Sequence, residues 1–429
     1  MMMTIFSILF LTVTASYHGC SSTKHYEDWP YYENTHLKDN ITTIPYFYAK
    51  QMTTFINLAS ERIIRDFPPT FKGSRSPAVY WGTAGIAAMC LQQYRLTHQL
   101  LWLSRAEDYI NVALSRWPSY TYNPKELSFL VGRPGICAVA AVIYDLKHDS
   151  TMVEEMIKEV NWFFDQANEG DEYDWERGMS GLIFSGDYLN NYFNETVIPI
   201  FKIKRLLDFI FARGMSLVDR KTGVLRFEKK SGKFFTGFGS YGSGSPVYTL
   251  LAHDHLVNST VLKHAKATVD HYLALQTPKG QIPGDYFPDR TQWCHGIPGL
   301  LAPIGEAYRV FGEEKYKLAG VNGSNLISEI GILTNGMLLC HGVAGNVYMM
   351  IDFYRKTGER SVLANAVSMI LTSLDIPKLS SLDPSHWYSW DCIPEALYAS
   401  SSIGALMLYS DVLANLDDLT RIGMFGYNL

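Results

Sequence analysis

The sequence predicts an all-α protein in which seven buried helices stand inside seven amphipathic ones, as two concentric rings. Three observations carry this. A short glycine-containing turn recurs at intervals of about 45–65 residues, the first sign of a repeat architecture. Each turn opens a run that is apolar nearly all round, as a helix covered on most sides must be. Before each turn lies a segment whose apolar residues recur at three- and four-residue steps with charges between, as in a helix with one wet face.

The turns read Gly82-Thr-Ala-Gly85, Gly132-Arg-Pro-Gly135, Gly178-Met-Ser-Gly181, Gly296-Ile-Pro-Gly299 and Gly342-Val-Ala-Gly345. Gly242-Ser-Gly-Ser245 is a degraded further copy, and the segment from Ser400 to Gly404 stands where a seventh belongs. The runs that follow include GIAAMCLQQY, GICAVAAVIYDL and GNVYMMIDFY, and these supply the inner helices. Residues 48–67, 100–117, 151–166 and 261–275 supply amphipathic partners, and counting to the last apolar stretch yields seven pairs. A unit that cannot bury its own face needs neighbours, and equal units set side by side can close into a ring. The same local pattern also fits an open solenoid, although the chain lacks the polar terminal caps that a solenoid needs. In the ring, the glycines gather at one end, where they permit close backbone approach and leave helix N–H groups free for polar ligands.

The chain has 429 residues, of which 47% are apolar and 18% charged, so a large core is available and wholesale disorder is excluded. A formal charge of −5 with no long basic run leaves nucleic-acid binding without its electrostatic footprint. Residues 45–429 read as one domain, since no linker or charge block divides them. Residues 21–44, rich in Tyr, His and Asn, form a lead-in to which no chemistry is assigned. Residues 1–20 are either a cleaved signal peptide or an uncleaved apolar N-terminus. Ile5 to Val13 is apolar and too short to span a bilayer, and no Lys or Arg precedes Lys24. Membrane association is left open by this segment.

Six cysteines are spread too widely for a disulfide framework, and there is no CxxC. Cys90 and Cys137 lie within apolar helical runs and read as buried small hydrophobes. Cys294-His295 and Cys340-His341 differ, because each pair immediately precedes the first glycine of a turn. Two Cys-His pairs 46 residues apart are a weak signal on spacing alone. Their equivalent register in consecutive repeats strengthens it, since neighbouring inner helices would bring the two mouths together. Thiolate and imidazole suit Zn²⁺, and three protein ligands leave a fourth position open.

WCHGIPG at 293–299 and CHGVAGN at 340–346, with LVGRPGICAVAAVIYDL at 130–146 and WGTAGIAAM at 81–89, resemble the LanC family, nearer its eukaryotic LanC-like branch than the bacterial lanthionine cyclases. The resemblance covers roughly residues 45–415 and implies a seven-plus-seven α/α toroid with zinc held by Cys294, Cys340 and His341. It implies a zinc-activated thiol that adds to a dehydroamino acid. Bacterial members cyclise peptides in this way; eukaryotic ones bind glutathione and add it to dehydroalanine or dehydrobutyrine in proteins. The same resemblance places the chain in the cytoplasm, whereas the apolar N-terminus favours the secretory pathway.

By this resemblance Asp174 and Arg290 fall at functional positions, Arg290 where it would steady an enolate. Asp174 also reads as an acid favourable near a helix N-terminus, and Arg290 as a surface charge. The family's His of the fourth turn is here replaced by Tyr241, a proton donor but a poor base. The Lys that the eukaryotic branch associates with glutathione is Asn335, and the Arg preceding the seventh repeat has no counterpart among His386, Trp387 and Tyr388. His295, beside a ligand, is a further acid–base candidate. Two functions therefore stand: an enzyme adding glutathione or a related thiol to dehydroamino acids, and a zinc- and thiol-binding sensor or adaptor with weakened catalysis. Another α/α barrel, such as a glycosidase, would need opposed carboxylates, and few acids sit at the turns.

Overall fold

The computed structural model describes residues 31–70, 76–80, 82–227, 236–239, 242–284, 290–334, 336–376, 379 and 401–423. Among these there are fourteen α-helices and no strand. Seven are outer helices: α1 (Tyr46–Asp66), α3 (Leu100–Arg116), α5 (Ser150–Gln166), α7 (Ile200–Ser216), α9 (Ser259–Leu275), α11 (Glu314–Ile330) and α13 (Arg360–Asp375). Seven are inner: α2 (Thr83–Thr97), α4 (Arg133–Leu146), α6 (Met179–Phe193), α8 (Gly244–Ala252), α10 (Ile297–Phe311), α12 (Val343–Thr357) and α14 (Ser401–Ala414).

Burial separates the two sets as the sequence pattern predicts. In α4 every residue from Arg133 to Tyr144 is buried, while in α5 burial is confined to Met156, Glu159, Val160, Phe163 and Phe164, one stripe at helical spacing. Asp149 caps α5 by accepting from the Met152 N–H, and Asn258 caps α9 from two N–H groups.

The inner helices pack in chain order, each against the next, and α14 packs back against α2. The architecture is an α/α toroid, so the ring is closed and the open solenoid is excluded. Polar contacts buried in the core make the closure specific. Gln92 of α2 donates to Asp411 of α14, Gln93 donates to Ser410 at 2.8 Å, and Tyr348 of α12 donates to Asp411 at 2.5 Å. No helix among the described residues is long and apolar enough to cross a membrane.

Close backbone approach accounts for the glycine turns. A Cβ on Gly135 would lie 1.7 Å from the carbonyl oxygen of Phe129, and one on Gly345 would lie 1.8 Å from that of Leu339. In both cases the clashing carbonyl is six residues upstream, because the loop before each inner helix folds back across the turn. The same six-residue relation recurs at Gly82, Gly178 and Gly296. A buried ion pair braces the second turn from outside. Arg133 Nε donates to Glu159 Oε1 at 2.5 Å and Nη2 to Oε2 at 2.9 Å, with the remaining donors on Trp117 O, Leu114 O and Ser119.

The described part of the lead-in docks on the outer ring. Asn34, buried, donates to Ser328 O and Ser368 Oγ and accepts from Thr372 Oγ1. Beside it, His36 places Nδ1 at 2.6 Å from Asp39 and Nε2 at 2.7 Å from Asp375, with the Tyr48 hydroxyl 2.9 Å from the same Nε2. Burial opposes the imidazolium, but the two carboxylates outweigh it, so the His36 pKa is raised above 6.5. A raised folded-state pKa makes this clasp fully stabilising below the unfolded value, and its contribution is lost as pH rises through the folded value. Urea unfolding of the protein and of a His36→Gln variant is therefore expected to differ more at about pH 5.5 than at about pH 8.5. Equal differences at both pH values would refute the linkage.

Candidate metal centre

Two of the residues that stand two places before a turn's first glycine are cysteines. At the fifth turn stands Cys294, on the loop into α10, and at the sixth Cys340, on the loop into α12. Helices α10 and α12 are packed neighbours, so their mouths adjoin. One ligand atom each of Cys294, Cys340 and His341 lies within 4.8 Å of the others, and Cys340 Sγ is 3.7 Å from His341 Nε2. Both cysteines are buried and free, with no disulfide between them.

The donor chemistry fits a soft divalent cation. Ligand bonds of about 2.3 Å from sulfur and about 2.0 Å from nitrogen require donor atoms roughly 3.3–3.8 Å apart, close to the arrangement present. Burial pushes the Cys340 thiol well up, and the hydrogen bond and charge of Cys294 push it further. The Cys340 thiol therefore stays protonated unless a cation takes up its charge. The adjacent Cys340 also holds the His341 pKa above its usual value against the effect of burial.

Of the other predicted residues, Arg290 and His295 come to this mouth. Burial lowers the Arg290 pKa, while the charges of Cys294 and Cys340 act to raise it. The His295 ring centroid lies 6.5 Å from that of His341, and burial first, then the charges of His341 and Arg290, depress its pKa to about 3. His295 is thus a neutral imidazole there. Asp174 is fully buried, and its Oδ1 accepts from the Arg177 N–H at 2.7 Å, a bond that shapes the turn before α6. Tyr241 and Asn335 lie outside the described residues, as do His386, Trp387 and Tyr388.

Two residues at the mouth carry no signal that sequence reasoning picked up. The buried Tyr80 hydroxyl meets Cys340, with Glu176 and Cys294 among the charges that act on it; burial, the largest effect, pushes its pKa well up. Tyr80 and Glu176 stand two places before Gly82 and Gly178, the register of the two cysteines. Reading that register across all repeats would have found both. Below them, Trp293 packs on Trp175 and Phe238 at ring distances of 5.7 and 5.6 Å, forming an aromatic floor.

The family model for lanthionine synthetase C-like proteins matches residues 73–380. The chain belongs to the LanC-like family. Among its relatives, zebrafish (Danio rerio) glutathione S-transferase LANCL1 is 28% identical over 305 residues, 67% of this chain and 72% of that protein. LanC-like protein GCL1 of Arabidopsis thaliana is 24% identical over 335 residues, 73% of this chain and 75% of that one. Nisin cyclase shares the fold of this LanC-like protein, with a TM-score of 0.60 at 14% identity, over 82% of this chain and 97% of the cyclase.

Proposed function

We propose that this LanC-like protein binds Zn²⁺ through Cys294, Cys340 and His341 and adds glutathione, or a related small thiol, to dehydroalanine or dehydrobutyrine residues in peptides or proteins. The convergence of the three donors at the adjoining mouths of α10 and α12 supports this most directly. Family membership and the glutathione S-transferase name of the zebrafish relative support the choice of thiol. When bound, the metal would hold an incoming thiol in its thiolate form at neutral pH.

The chain's own residues then have separable tasks. Burial of the donors excludes water from the sulfur and strengthens every charge interaction at the mouth. Attack at the β-carbon of the dehydroamino acid forms the C–S bond and moves the electron pair toward the carbonyl oxygen as an enolate. Arg290, at the same mouth, supplies the positive charge to hold that oxygen. One proton delivered to the α-carbon completes the addition, with no oxidant or leaving group required. Tyr241 is the candidate donor of that proton, and His295, a neutral imidazole, is the candidate acceptor of the proton that the thiol gives up, with Asp174 in the turn before α6 as a positioning residue. Asn335 takes the position that the family associates with glutathione.

A second reading, a zinc- and thiol-binding sensor or adaptor with weakened catalysis, is favoured by the replacement of the family's His and Lys by Tyr241 and Asn335. Incubating the purified protein with isotope-labelled glutathione and a dehydroalanine peptide separates the two. Catalytic formation of the thioether adduct, over many turnovers, supports the enzyme. Binding of labelled glutathione without adduct beyond the uncatalysed rate supports the sensor.

A further inference from the structure

The inner ring contains one short helix, α8. Helix α8 ends at Ala252 after nine residues, whereas α6 and α10 run for fifteen. Beside the missing turns lies a cavity of about 600 Å³, within the usual size of a small-molecule site. Trp175 and Phe184, with ring centroids 4.8 Å apart, form its apolar wall. Trp175 also packs on Trp293, the neighbour of Cys294, whereas neither Trp293 nor Cys294 lines the cavity.

The cavity is lined by three cations, Lys356, Arg309 and Arg355, and two carboxylates, Glu306 and Asp187, and Arg355 is paired with Asp352 at 2.5 Å. Lys356 Nζ is held by Glu306 at 2.9 Å and Asp352 at 2.6 Å, and those groups are consumed by one another. Arg309 is only partly consumed. Its Nε donates to Glu306 at 2.5 Å, and its Nη2 to Leu251 O and Asp254 at 2.9 and 3.0 Å. Nη1 makes no hydrogen bond among the described residues, and the side chain is 40% exposed. In the same lining, Asp187 on α6 meets His253 Nε2 at 3.2 Å and is 22% exposed, with acceptor capacity to spare. His253 is fixed from behind, its Nδ1 lying 2.9 Å from Thr249 O.

A bare anion would meet Glu306 and Asp187, and a bare cation would meet Arg309, Arg355 and Lys356. A ligand carrying both charges can answer the cationic donor and the carboxylate together, and the aromatic wall suits a flat apolar body. We propose that this cavity binds a small zwitterion of the α-amino acid class with a flat apolar side chain. Its carboxylate rests on Arg309, its ammonium on Asp187 and its side chain against Trp175 and Phe184. Such a site needs neither the metal centre nor the proposed thiol addition.

Isothermal titration of the full-length protein with L-phenylalanine, 3-phenylpropanoate and phenethylamine tests it. The zwitterion is expected to bind saturably, and each analogue lacking one charge to bind roughly tenfold more weakly or worse. In an Asp187→Asn variant that preference for L-phenylalanine over 3-phenylpropanoate is expected to vanish. Absence of saturable L-phenylalanine binding, equal affinities for the three compounds, or an unchanged preference in the variant would each overturn the proposal.

Discussion

Cys294→Ala is expected to remove the metal and the activity together: zinc content falls from about one equivalent to near zero, and glutathione addition falls at least about a hundredfold. The reason lies in the geometry of the mouth. Without the Cys294 sulfur, the cation would have only Cys340 and His341, adjacent in sequence and 3.7 Å apart, on a single loop. Two donors from one loop form a weak chelate, and the remaining buried thiol reverts to its neutral form. Cys90→Ala is the control. Cys90 is buried in α2, with its thiol pushed up by burial, and that variant is expected to keep its metal. Metal analysis and the adduct assay on both variants check this. A Cys294→Ala protein that retains a full equivalent of zinc would remove the basis of the proposed function.

Gly135→Ala is expected to cost about 4 kcal/mol or more, enough to prevent folding or to leave the protein aggregated. The added methyl would stand 1.7 Å from Phe129 O and 2.5 Å from Phe129 C, and both are backbone atoms that cannot rotate away. Relief requires the loop over residues 126–132 to move. That loop is tied to the next repeat by Leu127 N–H to Arg177 O at 2.8 Å and Phe129 N–H to Gly181 O at 3.0 Å. Gly358→Ala supplies the contrast. Gly358 caps α12 with φ at +67°, and a methyl added there would have nothing within 4 Å, so its cost is the backbone strain alone, about 1 kcal/mol. Urea unfolding of the two variants should separate them clearly. A Gly135→Ala protein within about 1 kcal/mol of the parent would show that the turns tolerate a side chain.

The fold was legible because its signals are local. Apolar spacing distinguishes α4, buried nearly throughout, from α5, buried along one stripe, without reference to any other part of the chain. The paired glycines mark where inner helices begin, and the seven pairs counted from those signals correspond to the seven inner and seven outer helices observed. The approach of Cys294 to Cys340 was legible for the same reason, since one register position in consecutive repeats must recur at one end of neighbouring helices. Tyr80 and Glu176 share that register and are found by reading it across all repeats, but their relevance depends on which repeats face one another across the ring. The docking of Asn34 and the arrangement of charges around Arg309 and Asp187 carried no periodic signal at all.

By itself, then, the sequence determined the helix types, their number, the turns between them and the thiol–imidazole register, all of which follow from interactions within a few tens of residues. The tertiary structure alone decided that the ring closes, that Tyr80 and Glu176 join the cysteines, and that the short α8 adjoins a second cavity. Those outcomes depend on contacts between residues hundreds of positions apart, such as Gln92 with Asp411 and Asn34 with Thr372. Such pairings form because buried polar groups must find partners in the packed state, a requirement that specifies no sequence spacing.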